Sequence, residues 1–360
     1  MPNPVFLDAD NVGKLSELLA SAGRIGLDTE FMRERTYYPQ LCLVQVATDR
    51  TICCVDPLGA QDIEAVWETL MPASWVVHSG RQDIEVIYQT AGRMPAGLFD
   101  TQIAAALLGH QPQLGYAALV SDLFGIELAK SHTRADWSRR PLAAELLEYA
   151  AEDVEHLLPA ADRLADRLSA AGRLEWALED SAYLLDEALY RPDPDEAIRR
   201  LKGARRLSGR ALAAATRLAA WREREAEQRN RPRQWILGDA VLLTLAATAP
   251  DSRAALNRIE GLPAGAIRRV GDELLEAVVA TGGDPESTAT PPRPDEGHRL
   301  RLAAMQEKVS AAAVELGIVP EVVASKKELT ASLFGERNLR VLRGWRRTLI
   351  GNDLLQIMED

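Results

Sequence analysis

The chain has 360 residues, of which 47% are hydrophobic and 26% are charged, and its formal net charge is −11. This length allows two or three domains, and the composition is that of an ordinary globular protein. No apolar stretch is long enough to cross a bilayer and no secretion signal opens the chain, so we expect a cytoplasmic protein with no membrane partner.

The charge is unevenly distributed along the chain. Residues 1–196 carry 15 basic and 32 acidic side chains, whereas residues 197–235 carry 12 basic and 3 acidic ones. This asymmetry fits an acidic catalytic part joined to a basic binding part, and it fits a solvated basic helix face about equally well. The three cysteines, Cys42, Cys53 and Cys54, show no metal or redox spacing, so we interpret them as buried thiols in a reducing compartment.

The first part of the chain mixes strands and helices. Alternating and apolar patterns predict four strands, at 24–31, 41–48, 51–56 and 75–79. Helical patterns follow at 63–70, 83–91, 101–108 and 141–170. Asp49 and Arg50 suit a tight hairpin turn, and Pro159 should kink or split the last helix. The pattern predicts a mixed α/β sheet.

The remainder of the chain reads as helices with one linker. A Pro- and Gly-rich stretch, GGDPESTATPPRPDEG, separates two helical parts. We therefore predict an α/β domain over 1–196, a helical domain over 197–281, a linker over 282–297 and a helical region over 298–360.

The first predicted strand, 24–31, contains the stretch LDTEF, which carries two carboxylates on one face. Asp28 and Glu30 are two residues apart, so both point to the same side of a strand. An unpaired charge taken out of water is costly. Each carboxylate must therefore be paired, protonated, exposed or bound to a cation.

Two further stretches, HSGRQDIEVI and EYAAEDV, add acidic residues. Asp83 opens a predicted helix, and Tyr149 and Asp153 are four residues apart on one helix face. Taken singly, Asp83 reads as a helix cap, Asp153 as a surface residue and Tyr149 as a half-buried aromatic. Taken together, carboxylates from separate elements suit two hard divalent cations, magnesium or manganese, that clamp a phosphoryl displacement.

These three stretches resemble the three exonuclease motifs of the ribonuclease D family, in the DEDD superfamily. The intervening RTYYPQLCLVQ, FDTQIAA and KSHTRADWSRRPL also resemble that family, so the match spans about residues 5–170. The resemblance implies a ribonuclease-H-like fold and hydrolytic 3′→5′ exonuclease activity. Tyr149 stands four residues before Asp153, and Glu148 stands where a second subclass has histidine, so the chain resembles the tyrosine subclass.

The resemblance also implies roles. Asp28, Glu30 and Asp153 hold one metal, Asp28 bridges to the second, and Asp83 acts at the second metal partly through water. Metal binding acidifies the attacking water, and a tyrosine is a poor base at neutral pH. We therefore expect Tyr149 to orient that water, and nucleoside 5′-monophosphates to be the products, with no organic cofactor.

Residues around the predicted acidic cluster are candidates for RNA contact. Phe31 and Met32 follow the Asp-x-Glu pair and could stack on terminal bases, although core packing is an equal alternative for Phe31. Basic side chains flank Trp137 before the last motif and are either backbone contacts or solvated: Lys130, Arg134, Arg139 and Arg140. Gln45 and His78 are further candidates, for which we favour structural hydrogen bonds.

The basic part resembles the helicase-and-ribonuclease-D C-terminal (HRDC) domain. The stretch LAAWREREAEQRNRPRQWILGDAVLLTLA carries this resemblance, over about residues 205–281. It implies a helical bundle that helps to bind nucleic acid, with Arg229, Arg231 and Arg233 as phosphate contacts. We expect the neighbouring Trp235 to be a core residue. Residues 298–360, which hold several arginines, are a candidate second HRDC-like module.

The sequence thus predicts an α/β ribonuclease-H-like exonuclease domain followed by all-α HRDC-type structure. We expect a monomeric enzyme that trims the 3′ ends of transfer RNA precursors and other small structured RNAs. Two alternatives stay open. One is a 3′→5′ DNA exonuclease, which the catalytic residues do not distinguish from an RNA enzyme, and the other is a catalytically silent nucleic-acid-binding scaffold.

Overall fold

A computed structural model describes residues 4–8, 11–20, 22–60, 62–128, 135–279 and 295–359. These residues divide into two compact units. The first unit contains the described residues up to 32, from 41 to 187 and from 295 onward, and the second contains 33–40 and 188–279. None of the helices in these ranges has the length and apolar character needed to span a membrane.

Six strands form one sheet. They are β1 (Val5–Leu7), β2 (Arg24–Met32), β3 (Gln40–Ala47), β4 (Ile52–Val55), β5 (Ser74–Val77) and β6 (Gly97–Asp100). The spatial order is β1-β4-β3-β2-β5-β6. The pairs β1–β4, β2–β5 and β5–β6 are parallel, and β3–β4 is antiparallel. The predicted mixed sheet is confirmed, and β2 lies inside it.

Helices make up most of the remaining structure. Those up to residue 183 are α1 (Lys14–Leu19), α2 (Ile63–Leu70), α3 (Arg81–Ala91), α4 (Thr101–Ala106), α5 (Tyr116–Phe124), α6 (Ala144–Glu155), α7 (Leu157–Ala170) and α8 (Leu174–Tyr183). Those of the second unit are α9 (Gly209–Gln228), α10 (Arg233–Ile236), α11 (Asp239–Thr248), α12 (Arg253–Leu256) and α13 (Ala264–Val279). The last are α14 (Glu296–Leu316), α15 (Pro320–Val323), α16 (Lys326–Leu333), α17 (Gly344–Arg346) and α18 (Asn352–Glu359).

Short helical turns connect these elements. The 3₁₀ turns are Glu187–Leu189, Pro194–Arg200, Ala204–Arg206 and Arg340–Leu342, and a π-helical segment, Arg347–Gly351, precedes α18. The predicted helix over 141–170 is split at His156, between α6 and α7. Pro159 is the third residue of α7, where its missing N–H costs no intrahelical hydrogen bond.

The helices α6 and α7 cover the sheet face that carries Asp28. Both helices contact β2, and the approach of α7 is close at Gly26. A Cβ atom at Gly26 would lie 3.2 Å from the Leu157 Cβ and 3.4 Å from the Ala47 Cβ. A larger side chain would push α7 outward, so glycine here keeps the helical layer against the strand.

The C-terminal helices pack into the core of the first unit. Met305, Val309 and Trp345 belong to the same buried cluster as Leu107 and Leu164. The predicted domain boundaries stay predictions. So does the identity of 298–360 as a second HRDC-like module, because the packing of these helices does not show whether they are related to an HRDC domain.

Two contacts attach these C-terminal helices to α8. The Trp345 ring stacks on Trp176 with centroids 4.4 Å apart. The Arg346 side chain is 2% exposed and forms a bidentate ion pair with Asp180. Arg346 therefore stabilises the first unit and does not present its charge to solvent.

Candidate active site

The central strand β2 presents the first two carboxylates. Asp28 and Glu30 are half-buried, and Thr29 between them is buried. The Thr29 hydroxyl donates a 2.5 Å hydrogen bond to the carboxylate of Asp83, which is 54 residues away in sequence. Thr29 thereby links the strand directly to the first turn of α3.

A tight turn between β5 and α3 positions Asp83. Ser79 has a positive φ of 59°, and the Ser79 and Gly80 amides donate to the Asp100 carboxylate at 3.1 and 2.9 Å. A Cβ at Gly80 would lie 2.4 Å from a Val77 methyl group, so the turn requires glycine. Asp83 itself is 7% exposed.

The other two candidate residues lie on α6. The Tyr149 hydroxyl donates a hydrogen bond to the Asp153 carboxylate, as their four-residue separation on one helix face allows. The Tyr149 ring also packs near the buried Trp137, with centroids 6.2 Å apart. The tyrosine hydroxyl and the last carboxylate therefore form one unit.

The four carboxylates lie close enough for their charges to affect one another's pKa values. Burial raises the pKa of Asp28 well above its usual value, and the charges of Asp83, Asp153 and Glu30 raise it further. Burial, followed by the charges of Asp153 and Asp83, raises the pKa of Glu30 to about 8. Burial also raises the pKa values of Asp83 and Asp153, each to about 6. The sequence-predicted carboxylates are thus gathered at one place.

The donor set fits a hard divalent cation. All the candidate ligands are carboxylate oxygens, which magnesium and manganese prefer. Within the described ranges, no three His, Cys, Asp or Glu side chains already form a metal-ligating group. To share one cation, carboxylate oxygens from different elements would therefore have to draw closer together.

The hydroxyl group of Tyr149 loses its proton less readily than an ordinary tyrosine does. Burial, the negative charge of Asp153 and the hydrogen bond to it all raise the pKa of Tyr149. The phenol therefore stays protonated near neutral pH, and it can donate a hydrogen bond but cannot serve as a base.

Several predicted contact residues have other partners. Met32 packs against the cluster of Cys42, Cys54 and Trp137, and Phe31 is half-buried. Both ring nitrogens of His78 are engaged, with Thr101 at 2.9 Å and the Leu114 carbonyl at 2.8 Å. These contacts give His78 the structural role that the sequence favours.

In the basic segment before α6, one arginine has structural partners and another is exposed. Arg140 forms a bidentate pair with Asp56, with both distances 2.6 Å, and donates to the Cys42 carbonyl at 2.7 Å. Arg139 is exposed. Lys130 and Arg134 lie outside the described residues.

In the second unit, the three predicted arginines differ. The Arg233 side chain pairs with the buried Glu223 at 2.5 and 2.6 Å, and its guanidinium lies 4.8 Å from the centre of the Tyr37 ring. Arg233 therefore has a structural role. Arg229 pairs with Glu225, one helical turn earlier. Arg231 is exposed and forms no ion pair with any described residue.

The expectation that Trp235 is a core residue is wrong. Its side chain is 59% exposed, whereas Leu237, which directly follows the four-residue helix α10, is buried. The indole borders a cavity of about 570 Å³ within the second unit. The cavity is lined by Trp221, Arg229, Arg231, Trp235, Ile236, Ala266, Arg269 and Val270.

Sequence reasoning missed the groups that connect distant segments. The Thr29–Asp83 bond and the Tyr37–Glu223 bond join residues 54 and 186 positions apart. Periodicity carries no signal for such pairs. The only available signal was that Thr29 and Tyr37 lie inside the LDTEF and RTYYPQLCLVQ stretches.

Comparisons with known proteins agree with this architecture. A family model described as a 3′-5′ exonuclease matches residues 5–169, and a model of the HRDC domain matches residues 211–278. The ribonuclease D of Gluconacetobacter diazotrophicus is 38% identical, and the alignment covers 99% of this chain and 93% of that protein. The ribonuclease D of Pseudomonas paraeruginosa is 39% identical over 93% of this chain and 92% of its own.

Solved structures give the same result. The crystal structure of Escherichia coli RNase D, described as an exoribonuclease involved in structured RNA processing, superposes with a TM-score of 0.89. It is 31% identical, and the match covers 99% of each chain. The catalytic core of RRP6 from Trypanosoma brucei is 25% identical with a TM-score of 0.59, over 76% of this chain and 78% of its own.

Proposed function

This chain belongs to the ribonuclease D family of 3′→5′ exoribonucleases, and from that premise we propose that its acidic cluster holds two divalent cations at the 3′ end of an RNA strand. The family is dependent on divalent metal. The proposal goes further, to two ions per site and to magnesium or manganese. The observation that carries it is geometric: Thr29, between Asp28 and Glu30 on β2, donates a hydrogen bond to Asp83 on α3, and α6, which bears Asp153, contacts β2. The raised pKa of Asp28, caused by burial and then by the charges of Asp83, Asp153 and Glu30, agrees with this arrangement.

The roles proposed for the carboxylates come from the family resemblance. Asp28, Glu30 and Asp153 would hold one cation, with Asp28 shared between the two sites and Asp83 serving the second. When bound, such cations acidify the attacking water and stabilise the leaving 3′ oxygen. The Thr29 hydroxyl holds Asp83 in place, because its hydrogen bond fixes one carboxylate oxygen.

Tyr149 would orient the attacking water. Its hydroxyl already donates to Asp153, and its raised pKa keeps the proton on the phenol. A protonated phenol can hold a water molecule by hydrogen bonding but is a poor proton acceptor at neutral pH. The expected products are nucleoside 5′-monophosphates.

The proposed substrates are transfer RNA precursors and other small structured RNAs, handled by a cytoplasmic monomer without an organic cofactor. The E. coli relative is described as acting in structured RNA processing. The basic second unit supports a polyanionic substrate, because twelve basic residues fall between 197 and 235.

The cavity beside Trp235 is the best candidate for an RNA contact in that unit. An exposed indole can stack on an unpaired base, and Arg229, Arg231 and Arg269 can pair with phosphate. Arg231 and Arg269 are exposed and form no ion pair with any residue in the described ranges. These contacts are proposals, as are those of Phe31, Met32, Lys130 and Arg139.

A direct assay tests the proposal. A transfer RNA precursor with a 3′ extension, labelled at its 5′ end, is incubated with the protein and magnesium, manganese or a chelator. We expect a ladder that shortens one nucleotide at a time, release of 5′-monophosphates and no reaction with chelator. Internal cleavage, or degradation that persists with chelator, would contradict the proposal. A matched DNA strand tests the RNA preference, since equal rates would favour a general exonuclease.

A further inference from the structure

Gln45 is a buried polar residue without a partner. It lies on β3, is 0% exposed, and is the one polar residue in the stretch from Leu41 to Ala47. Neither its side-chain nitrogen nor its side-chain oxygen makes a hydrogen bond to any described residue. Buried polar groups are nearly always hydrogen-bonded, because leaving one unpaired costs free energy. An amide kept at this position therefore calls for a functional explanation.

Gln45 lies on the face of the sheet that α6 and α7 cover. It pairs with Cys54 across the antiparallel β3–β4 ladder, so the two side chains share a face. Cys54 packs in one cluster with Ala150 of α6, and Ala47, two residues from Gln45, belongs to one buried cluster with Leu157 of α7. The same face carries Gly26 and Asp28, because a Cβ at Gly26 would contact both Ala47 and Leu157.

The register of β2 against β3 brings Gln45 next to Asp28. The two strands are neighbours in the sheet. Gly26 lies beside Ala47, and the Met32 amide donates to the Cys42 thiol. A residue later in β2 thus contacts a residue earlier in β3, so the two strands run antiparallel. Asp28 lies two residues after Gly26, and Gln45 lies two residues before Ala47. The two side chains are therefore on the same face of neighbouring strands, close to each other.

We propose that Gln45 is a positioning residue for the metal site, whose side-chain amide donates a hydrogen bond to the Asp28 carboxylate when divalent cations are bound. Asp28 is the carboxylate assigned to both cations, so its orientation matters most. An amide that donates to one oxygen leaves the other electron pairs for the cations. Groups that orient metal ligands in this way commonly change metal affinity by 10- to 100-fold. This inference rests on the proposed two-cation site.

The test compares metal binding with folding. Gln45→Met keeps the length of the side chain and removes its donor and acceptor. Binding of Mn²⁺ to the metal-free full-length protein is measured by isothermal titration calorimetry, and folding by urea denaturation. We expect the variant to bind Mn²⁺ at least about tenfold more weakly than the wild type. Its urea midpoint should be equal or higher, because the substitution removes unpaired buried polar atoms.

The matched control is Cys54→Val, which alters packing opposite Gln45 on the same face but removes no candidate donor to Asp28. This variant should bind Mn²⁺ as the wild type does. Affinity of Gln45→Met within twofold of the wild type would overturn the inference and leave the two-cation site intact. Failure of the wild type itself to bind Mn²⁺ would instead overturn the proposed function.

A structure of the wild type with Mn²⁺ tests the inference if Gln45→Met does not fold. The expected result is a distance of about 3 Å between the Gln45 side-chain nitrogen and an Asp28 carboxylate oxygen. A nitrogen turned away from Asp28 in the Mn²⁺-bound protein would overturn the inference.

Discussion

The active-site carboxylates combine burial with mutual repulsion, and both effects favour the protonated form. Both effects raise the pKa of Asp28, and they raise the pKa of Glu30 to about 8. Negative charge held in such a site destabilises the metal-free fold at neutral pH and is relieved by cations. The same side chains that the reaction requires are therefore a cost to stability, as is common at active sites.

Asp28→Asn tests this trade-off. We expect cleavage of RNA to fall at least about a thousandfold, because an amide is a poor ligand for a cation. RNA binding should stay within a few-fold of wild type. The metal-free variant should be more stable than the wild type at neutral pH, because asparagine removes a negative charge that burial and the neighbouring carboxylates disfavour. Measurements of cleavage, filter binding and urea denaturation check these outcomes.

The exposed Asp49 supplies the matched control. Asp49→Asn removes the same charge from a solvated turn, and it should change neither cleavage nor stability. Normal RNA digestion by Asp28→Asn would show that the catalytic site lies elsewhere.

The raised pKa values also predict a dependence of metal stabilisation on pH. Asp83 and Asp153 have folded pKa values of about 6, above the usual value near 4 for aspartate. Their extra stabilisation is full below about pH 4 and is lost as the pH rises through about 6. Cations need the deprotonated form, so Mg²⁺ should raise the melting temperature more at pH 8 than at pH 6. A larger shift at pH 6 would contradict this reading.

The segment between β2 and β3, residues 33–40, is held in the second unit by hydrogen bonds to Glu223 and Asn230. The Tyr37 hydroxyl donates to Glu223 at 2.5 Å, and the Tyr37 and Tyr38 amides donate to the Asn230 side chain at 3.0 and 3.1 Å. Glu223 is 1% exposed, so its charge depends on the neighbouring Arg233. These contacts hold the pKa of Glu223 below its usual range despite burial.

Arg233→Met should therefore destabilise the second unit. Among the residues that the structure describes, it leaves the buried Glu223 carboxylate with Tyr37 and the more distant Arg200, at 3.2 Å. We expect a loss of about 2 kcal/mol or more in urea denaturation. Arg231→Met is the control two residues away, and its effect should stay within about 0.5 kcal/mol because Arg231 is exposed. Equal stability of the two variants would argue against a structural role for Arg233.

Strand and helix prediction succeeded where local pattern was strong. The helix Ile63–Leu70 has the predicted bounds, and β2 to β5 differ from prediction by a few residues. The strands β1 and β6 were not predicted. The strand β1 has only three residues, too few to show alternation, and the four residues of β6 begin with glycine and end with aspartate, which are poor strand formers. The candidate catalytic residues came from motif resemblance, since spacing alone gives no distance between Asp28 and Asp153.

Packing between distant parts of the chain could not be predicted from the sequence. Nothing local indicates that Trp345 stacks on Trp176 or that Arg346 is buried against Asp180. A cluster of arginines near the C-terminus looks like a basic surface in sequence. Only the tertiary contacts distinguish the buried Arg346 from the exposed Arg343.

At the scale of the whole molecule, charge is divided between catalysis and binding. The acidic first part repels phosphate unless cations neutralise it, whereas residues 197–235 carry a strong excess of basic side chains. We therefore expect the second unit to supply most of the electrostatic affinity for RNA, and the acidic cluster to supply the chemistry.

The double variant Arg231→Glu/Arg269→Glu tests this division. Both side chains line the cavity beside Trp235. Affinity for a transfer RNA precursor should fall about tenfold or more, and the salt dependence of binding should weaken. Turnover of a trinucleotide, which offers few phosphates for basic side chains to bind, should change little. Arg210→Glu, exposed in the same unit but outside the cavity lining, is the control. Equal losses on both substrates would contradict the division.

The central claim is that Asp28, Glu30, Asp83 and Asp153 share two divalent cations. Anomalous X-ray diffraction from crystals of the full-length protein grown with Mn²⁺ and a short RNA tests it most directly. The account predicts two manganese peaks about 4 Å apart, both in contact with Asp28. Manganese bound only away from Asp28, with RNA present, would contradict it.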